Sequence, residues 1–205
     1  SGPGMLGAMD LRMAPLGEGS TIWDEERTVA SGLIWQGNTS SVSSHEFLQY
    51  LAPMPTELNW CNLNNVSYCT PSRNQHLPQF CESCWAHAAL SALADRIKIV
   101  RQSRGKPGPD IALSAQHVLN CAGVGDCHGG SVDGPYQWLL GVSIASSSGV
   151  AYDSVNPYLG CSMESREGIC AHRSWQCTPS TTAATCFLPG HACTPLARYP
   201  NATIR

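Results

Sequence analysis

The chain has 205 residues, 42% of them hydrophobic and 13% charged, with a formal net charge of −3. That supplies a core for one large or two small domains. The absence of any basic block leaves no electrostatic footprint for nucleic acid, and no run of about 18 apolar residues offers a membrane span. Eleven cysteines stand at positions 61, 69, 81, 84, 121, 127, 161, 170, 177, 186 and 193, a density that a reducing compartment does not reward. Three sequons, beginning at Asn38, Asn65 and Asn201, make those asparagines candidate glycosylation sites. Together these features point to the secretory pathway, either a lysosome-like lumen or the extracellular space. The odd cysteine count matters too: five bridges would leave one thiol free.

Residues 1–53 read as an extension rich in Gly, Ser and Met, with no cysteine and one short helix near Thr21–Val29. Ser1–Met13 lack a charged segment followed by an apolar one, so any signal peptide is expected to have been removed already. Pro53 and Pro55 mark a boundary. From Leu58 to Cys69 the alternation of residues predicts an extended segment. Ser83 is an expected N-cap for a long helix over Trp85–Val100, where Ala88, Ala89, Leu93, Ala94, Ile97 and Val100 recur at helical spacing. Gly105-Lys106-Pro107-Gly108-Pro109 ends it. A second helix is expected over Ser114–Asn120 and a third from about Pro135. Residues 161–193 read as cysteine-rich loop, held by bridges more than by a core. Arg198–Arg205 could start a strand.

The chemistry concentrates in Gln79-Phe80-Cys81-Glu82-Ser83-Cys84-Trp85-Ala86-His87. A cysteine in the first turn of a long helix faces unpaired backbone N–H groups and the positive end of the dipole, and both favour thiolate over thiol. The thiolate is the nucleophile, so Cys84 occupies a place suited to catalysis. The alternative is a redox C-x-x-C pair of Cys81 with Cys84, or two structural half-cystines; a thioredoxin-like strand, C-x-x-C and helix context is absent.

This motif resembles the C-G-[SA]-C-[WY] signature of the papain-like cysteine proteases. The stretch Arg73-Asn74-Gln75-His76-Leu77-Pro78-Gln79-Phe80-Cys81 is similar to the cathepsin X (cathepsin Z) branch. The likeness continues through Ala94–Ile99, Leu113–Cys121 and Cys127-His128-Gly129-Gly130. It implies an α+β fold: the disulfide-rich helical (left) domain of a papain-like enzyme with a long central helix, the β-rich second domain being largely missing. By the same resemblance Gln75 would donate to the developing oxyanion. His76, in an inserted loop, would bind the C-terminal carboxylate of a peptide substrate, and Gly129 and Gly130 would let a peptide backbone approach closely. An ordinary loop histidine and a plain glycine turn are the bland alternatives. The resemblance pairs Cys81 with Cys127 and Cys121 with Cys161. A Cys61–Cys69 bridge is a further expectation outside it, and Cys170, Cys177, Cys186 and Cys193 stay unassigned. Such chemistry calls for no cofactor and no metal.

Two departures shape the expectations. Glu82 stands where the family has glycine; its carboxylate would oppose a thiolate and crowd the cleft, and the position could demand a backbone that glutamate tolerates poorly. The family's histidine base and asparagine lie roughly 130 to 150 residues beyond the cysteine, which falls past Arg205. The expected organisation is therefore an N-terminal extension, or a remnant resembling a pro-segment, over 1–53, a papain-like helical domain over 54–197 with a cysteine-rich loop at 161–193, and the start of the missing β domain over 198–205. The function implied is that of a cysteine carboxypeptidase, incomplete in this chain. The alternative is a catalytically degenerate papain-like domain serving as a structural or binding subunit. Either way a second chain or assembly partner is expected to cover the face left by the missing domain.

Overall fold

The computed structural model describes residues 25–34, 55–146, 148–186 and 193–202. The expected sequon at Asn38 lies outside them, as does most of the 1–53 extension. Of the first expected helix, residues 25–30 are described: α1 runs Glu25–Ala30.

The long helix α2 spans Cys84–Ser103. Its inward face is Trp85, Ala86, Ala89, Leu90 and Ala94, all buried, so small residues let neighbouring backbone come close while Trp85 fills the volume. Arg101 sits in the last turn, where a cation complements the helix C-terminus. Gly105, at φ +63°, turns the chain away. Ser83 is the N-cap residue as expected, but its side chain makes no capping hydrogen bond.

Helix α3, Ala115–Cys121, is capped by Ser114, whose hydroxyl accepts from the His117 N–H at 3.0 Å. Residues Ala115–Asn120 are all buried, so each polar side chain needs a partner. Gln116 Nε2 donates to the Cys161 carbonyl at 2.6 Å and to Asn120 Oδ1 at 2.9 Å, while its Oε1 accepts from the Leu159 N–H at 3.0 Å. His117 Nδ1 accepts from the Ala151 N–H at 2.9 Å. Helix α4 spans Asp133–Ser146 and packs on α2, with the Tyr136 hydroxyl donating to the Ala89 carbonyl at 2.8 Å. One core cluster joins α2, α3 and α4 through Trp85, Leu90, Val118, Leu119 and Leu139.

The strands are short and pair antiparallel: β1 (Gly125–Asp126) with β2 (Gly129–Gly130), β3 (Val150–Ala151) with β6 (Asn201–Ala202), and β4 (Ala184–Thr185) with β5 (Thr194–Pro195). The expected strand near the end of the chain is thus β6, laid against β3 with Ala202 buried.

Two expectations change. Leu58–Cys69 is not extended. A 3-10 turn at Trp60–Asn62 leads into a tight reversal in which Leu63 and Val66 exchange both backbone hydrogen bonds. Asn64 and Asn65 sit at φ 53° and 62°, the left-handed conformation that two-residue hairpin turns require and asparagine tolerates. The Cys61–Cys69 bridge closes this hairpin, and the sequon residue Asn65 is exposed at its tip.

The second change is in the cysteine pairing. Cys81 is joined to Cys127, but Cys121 is joined to Cys177 and Cys161 to Cys170. The reason is where α3 points. Its C-terminal turn faces α5 (Pro179–Thr182), to which Asn120 Nδ2 donates at the Thr181 carbonyl, 2.8 Å away. That contact brings Cys177, just before α5, within 4.6 Å of Cys121 between Cα atoms. Cys161 is held one turn earlier by Gln116 and pairs locally. The stretch 161–186 also has more structure than a loop. Trp175 packs with Cys161 and Cys170 and donates to the Cys170 carbonyl at 3.0 Å, and α5 begins with a capping box between Thr178 and Thr181 and Pro179 in its first turn.

Burial lowers the pKa of His117 from 6.5 to about 4; burial and the Arg73 guanidinium do the same for His87. The unfolded chain binds protons at these sites before the folded one does, so stability falls as pH drops from about 6.5 towards 4. Each buried imidazole contributes up to roughly 1.4 kcal/mol per pH unit across that window. Urea midpoints measured between pH 7 and 5 should decline, and His117→Asn, which keeps an acceptor for Ala151, should flatten the decline. An unchanged slope would show that His117 is not a source of it.

Candidate active site

Cys84 is the first residue of α2, half-buried, and it alone among the cysteines is unpaired. Its position follows from what flanks it. Cys81 is bridged to Cys127, the Glu82 N–H donates to the Cys127 carbonyl at 2.9 Å, and the Cys127 N–H donates to Ser162 Oγ at 3.2 Å. On the other side Trp85 is fully buried beneath the β1–β2 turn, with Nε1 donating to the Asp126 carbonyl at 3.3 Å. A Cβ on Gly130 would lie 2.5 Å from the Trp85 ring, so the second glycine of Gly129-Gly130 is required by packing. The first is set at φ +135°. The glycine turn is therefore pinned beside the start of α2 by a disulfide and an indole.

Gln75 and His76 reach the same place. Gln75 Nε2 and the Cys84 thiol both donate to one oxygen, the carbonyl of Ser31, at 3.3 Å and 3.0 Å. His76 Nε2 lies 3.4 Å from Gln75 Nε2, and its ring stacks on exposed Phe80 at 4.3 Å between centroids with 4° between planes. A cleft of about 560 Å³ is lined by Ser72, Arg73, Asn74, Gln75, His76, Cys84 and His87. His87 stands one turn along α2, edge-on to Tyr158 at 4.6 Å, with its Nε2 buried and unpartnered. Its lowered pKa keeps it neutral at neutral pH. Among the described residues the hydrogen-bond partners of the Cys84 sulfur are two atoms of Ser31, the carbonyl at 3.0 Å and the hydroxyl at 3.4 Å.

Ser31 was not legible as a site residue. The segment following α1 enters the cleft as a strap: the Ile34 N–H donates to the Gly130 carbonyl at 2.8 Å, the Gly130 N–H donates to the Gly32 carbonyl at 3.0 Å, and Leu33 bridges Gly130 in the parallel sense. The chain's own backbone pairs with Gly130, and the Gly32 carbonyl oxygen lies so close to Gly129 that a Cβ there would come within 2.8 Å of it. The only sequence signal was a glycine shortly after a short polar helix pattern, which is too common to single out.

Glu82 fits without backbone strain: the non-glycine residues at positive φ among those described are Asn64 and Asn65. The expected conflict is met from the other side of the cleft. Gly32, at φ +98°, lies so close that a Cβ on it would come 2.6 Å from the Glu82 Cβ and from the Glu82 carbonyl oxygen. Gly32→Ala should therefore expel the strap. Alkylation of Cys84 by iodoacetamide is expected to quicken about tenfold, the factor that 1.4 kcal/mol of lost strap binding gives. Equal rates in the two proteins would show that the strap does not limit access to the thiol.

The sequence model of the papain family cysteine proteases matches residues 54–186. A cathepsin Z from Onchocerca volvulus is 36% identical over 134 residues, which is 65% of this chain and 39% of that protein. Ananain from Ananas comosus is 31% identical over 108 residues, 53% of this chain and 26% of its own length. A procathepsin L2 proteinase from the Tenebrio molitor larval midgut superposes with a TM-score of 0.47 at 19% identity, covering 70% of this chain and 38% of that one. The chain thus spans about two fifths or less of the length of these relatives.

Proposed function

This chain belongs to the papain family of cysteine proteases, and on that premise we propose that it carries the nucleophile and oxyanion side of a cysteine carboxypeptidase. The observation that carries the reading is the convergence of the Cys84 thiol and Gln75 Nε2 on a single carbonyl oxygen. A substrate carbonyl bound there would meet the sulfur as attacking atom and the amide N–H as donor to the charge that develops on oxygen, an arrangement that stabilises the transition state more than the ground state. The thiol gives its proton to a base, sulfur bonds to the carbonyl carbon and the C=O electron pair moves to oxygen. Collapse re-forms C=O and breaks the C–N bond, releasing the amine and leaving a thioester on sulfur that water then hydrolyses. The proton for that amine must come from a general acid. In this reading it belongs to a histidine supplied by sequence or by a chain that is not among the described residues.

His76 gives the reading its finer part. It lies beside Gln75 in the lining of the cleft, where a ring N–H donor would favour a peptide's terminal carboxylate over an internal residue. The five disulfides and the exposed sequon residues Asn65 and Asn201 suit a lysosome-like or extracellular setting. No helix among the described residues is long and apolar enough to cross a membrane. The second reading, a domain kept for binding after catalysis was lost, is favoured by Glu82 at the cleft rim and predicts an assembly partner over the open face.

A thiol-directed peptide epoxide discriminates. The first reading expects stoichiometric labelling at Cys84, with protection by a peptide bearing a free C-terminal carboxylate stronger than by its amide, and loss of that difference in His76→Ala. Absence of labelling once the strap is removed would favour the binding subunit, and equal protection by acid and amide would count against exopeptidase selection.

A further inference from the structure

Gln75 sits in a loop that leads into the site between Asn74 and the Leu77–Pro78 turn, and a loop side chain needs an anchor before it can serve as a preorganised donor. The anchor comes from far along the chain. The Tyr158 hydroxyl donates to the Gln75 backbone carbonyl at 2.7 Å and lies 2.7 Å from Ser83 Oγ. A phenol has one proton, and it goes to the carbonyl, which accepts only; the Ser83 hydroxyl is therefore the donor to Tyr158. Ser83 is fully buried and directly precedes the nucleophile. The Ser83 side chain is turned towards Tyr158, and its oxygen accepts no N–H from the first turn of α2. The Tyr158 ring is held in turn by edge-on contact with His87, one turn into α2.

We propose that Tyr158 is a positioning residue for the oxyanion donor, acting with Ser83 as a relay that holds the Gln75 backbone at a set distance from the first turn of α2. The relay measures the gap between Cys84 and Gln75 from the nucleophile's own neighbour, so the sulfur and the amide N–H keep their spacing when α2 or the loop shifts. Nothing in it touches a substrate. It rests on the reading of Gln75 as the oxyanion donor.

The test uses the full chain and two thiol reagents. An acetylated dipeptide aldehyde adds reversibly: the Cys84 sulfur bonds to the carbonyl carbon, the C=O pair moves to oxygen, and the thiol proton ends on that oxygen. Iodoacetamide alkylates the same sulfur with loss of iodide and the thiol proton, and builds no charge on an oxygen. Both need the strap out of the cleft, so the ratio of aldehyde affinity to alkylation rate cancels strap occupancy. Tyr158→Phe keeps the ring and removes the hydroxyl. It should lower that ratio about fivefold, the size of one lost hydrogen bond acting on the donor, with alkylation changed by less than about twofold. Ser83→Ala, which removes only the donor to Tyr158, should shift the ratio the same way. If Gln75→Ala lowers the ratio while Tyr158→Phe and Ser83→Ala leave it unchanged, the relay is overturned and the oxyanion reading stands. If both reactions of Tyr158→Phe fall in parallel, its role is merely structural and the relay is equally overturned. If Gln75→Ala itself leaves the ratio unchanged, the oxyanion reading fails and takes the relay with it.

Discussion

Trp85 lies sealed between helix α2 and the β1–β2 turn, and the site is arranged around that contact. A Cβ on Gly125 would lie 2.7 Å from its ring and one on Gly130 2.5 Å, so the turn can close over the indole only because both positions lack side chains. The Cys81–Cys127 bridge ties the same turn to the residues just before α2. An indole buried this fully removes well over a hundred square ångströms of apolar surface from water, and a bridge closing a loop of this kind contributes a few kcal/mol more by restricting the unfolded chain. Cys84 stands between these two fixtures.

Around that fixed point each wall of the cleft is held by a different kind of force. The glycine wall is held by packing. The Gln75 wall is held by hydrogen bonds reaching from Tyr158. The strap is held by main-chain pairing with Gly130 and by the absence of a side chain on Gly32. Main-chain pairing is indifferent to side-chain identity, which is how a segment with no cysteine and no recognisable motif can cover a thiol. Glu82 belongs to this picture: where the family motif has glycine in the wall, this chain has a glutamate there and a glycine in the strap facing it.

The stretches around 159–161 and 178–182 are tied down by buried amides. Gln116 and Asn120, both inside α3, tie the 159–161 and 178–182 stretches to the helix, and each buried donor so placed avoids the cost of an unpaired polar group. The disulfides follow the geometry these amides impose. Cys121 meets Cys177 because Asn120 has already brought α5 to the end of α3; Cys161 is left facing its local neighbour Cys170.

What the sequence determined by itself was local. The helix bearing Cys84, its stop at Gly105, the cap at Ser114 and the C-x-x-C-W motif follow from periodicity, capping and turn chemistry within a few residues. Gln75, His76 and the Gly129-Gly130 pair drew notice through the resemblance of their surrounding residues to a family pattern. The hairpin at Asn64-Asn65 and the capping box at Thr178 were written in the same local code, though the alternating residues around the first pointed to an extended strand. Tertiary structure alone decided that Cys121 pairs with Cys177, that Ser31 rests on Cys84, and that the Ser83 hydroxyl serves Tyr158 in place of the helix. Each of these depends on groups 53 to 75 residues apart meeting in space. Distances of that kind are set by how buried side chains fill volume and satisfy one another's hydrogen bonds, and a linear pattern does not encode them.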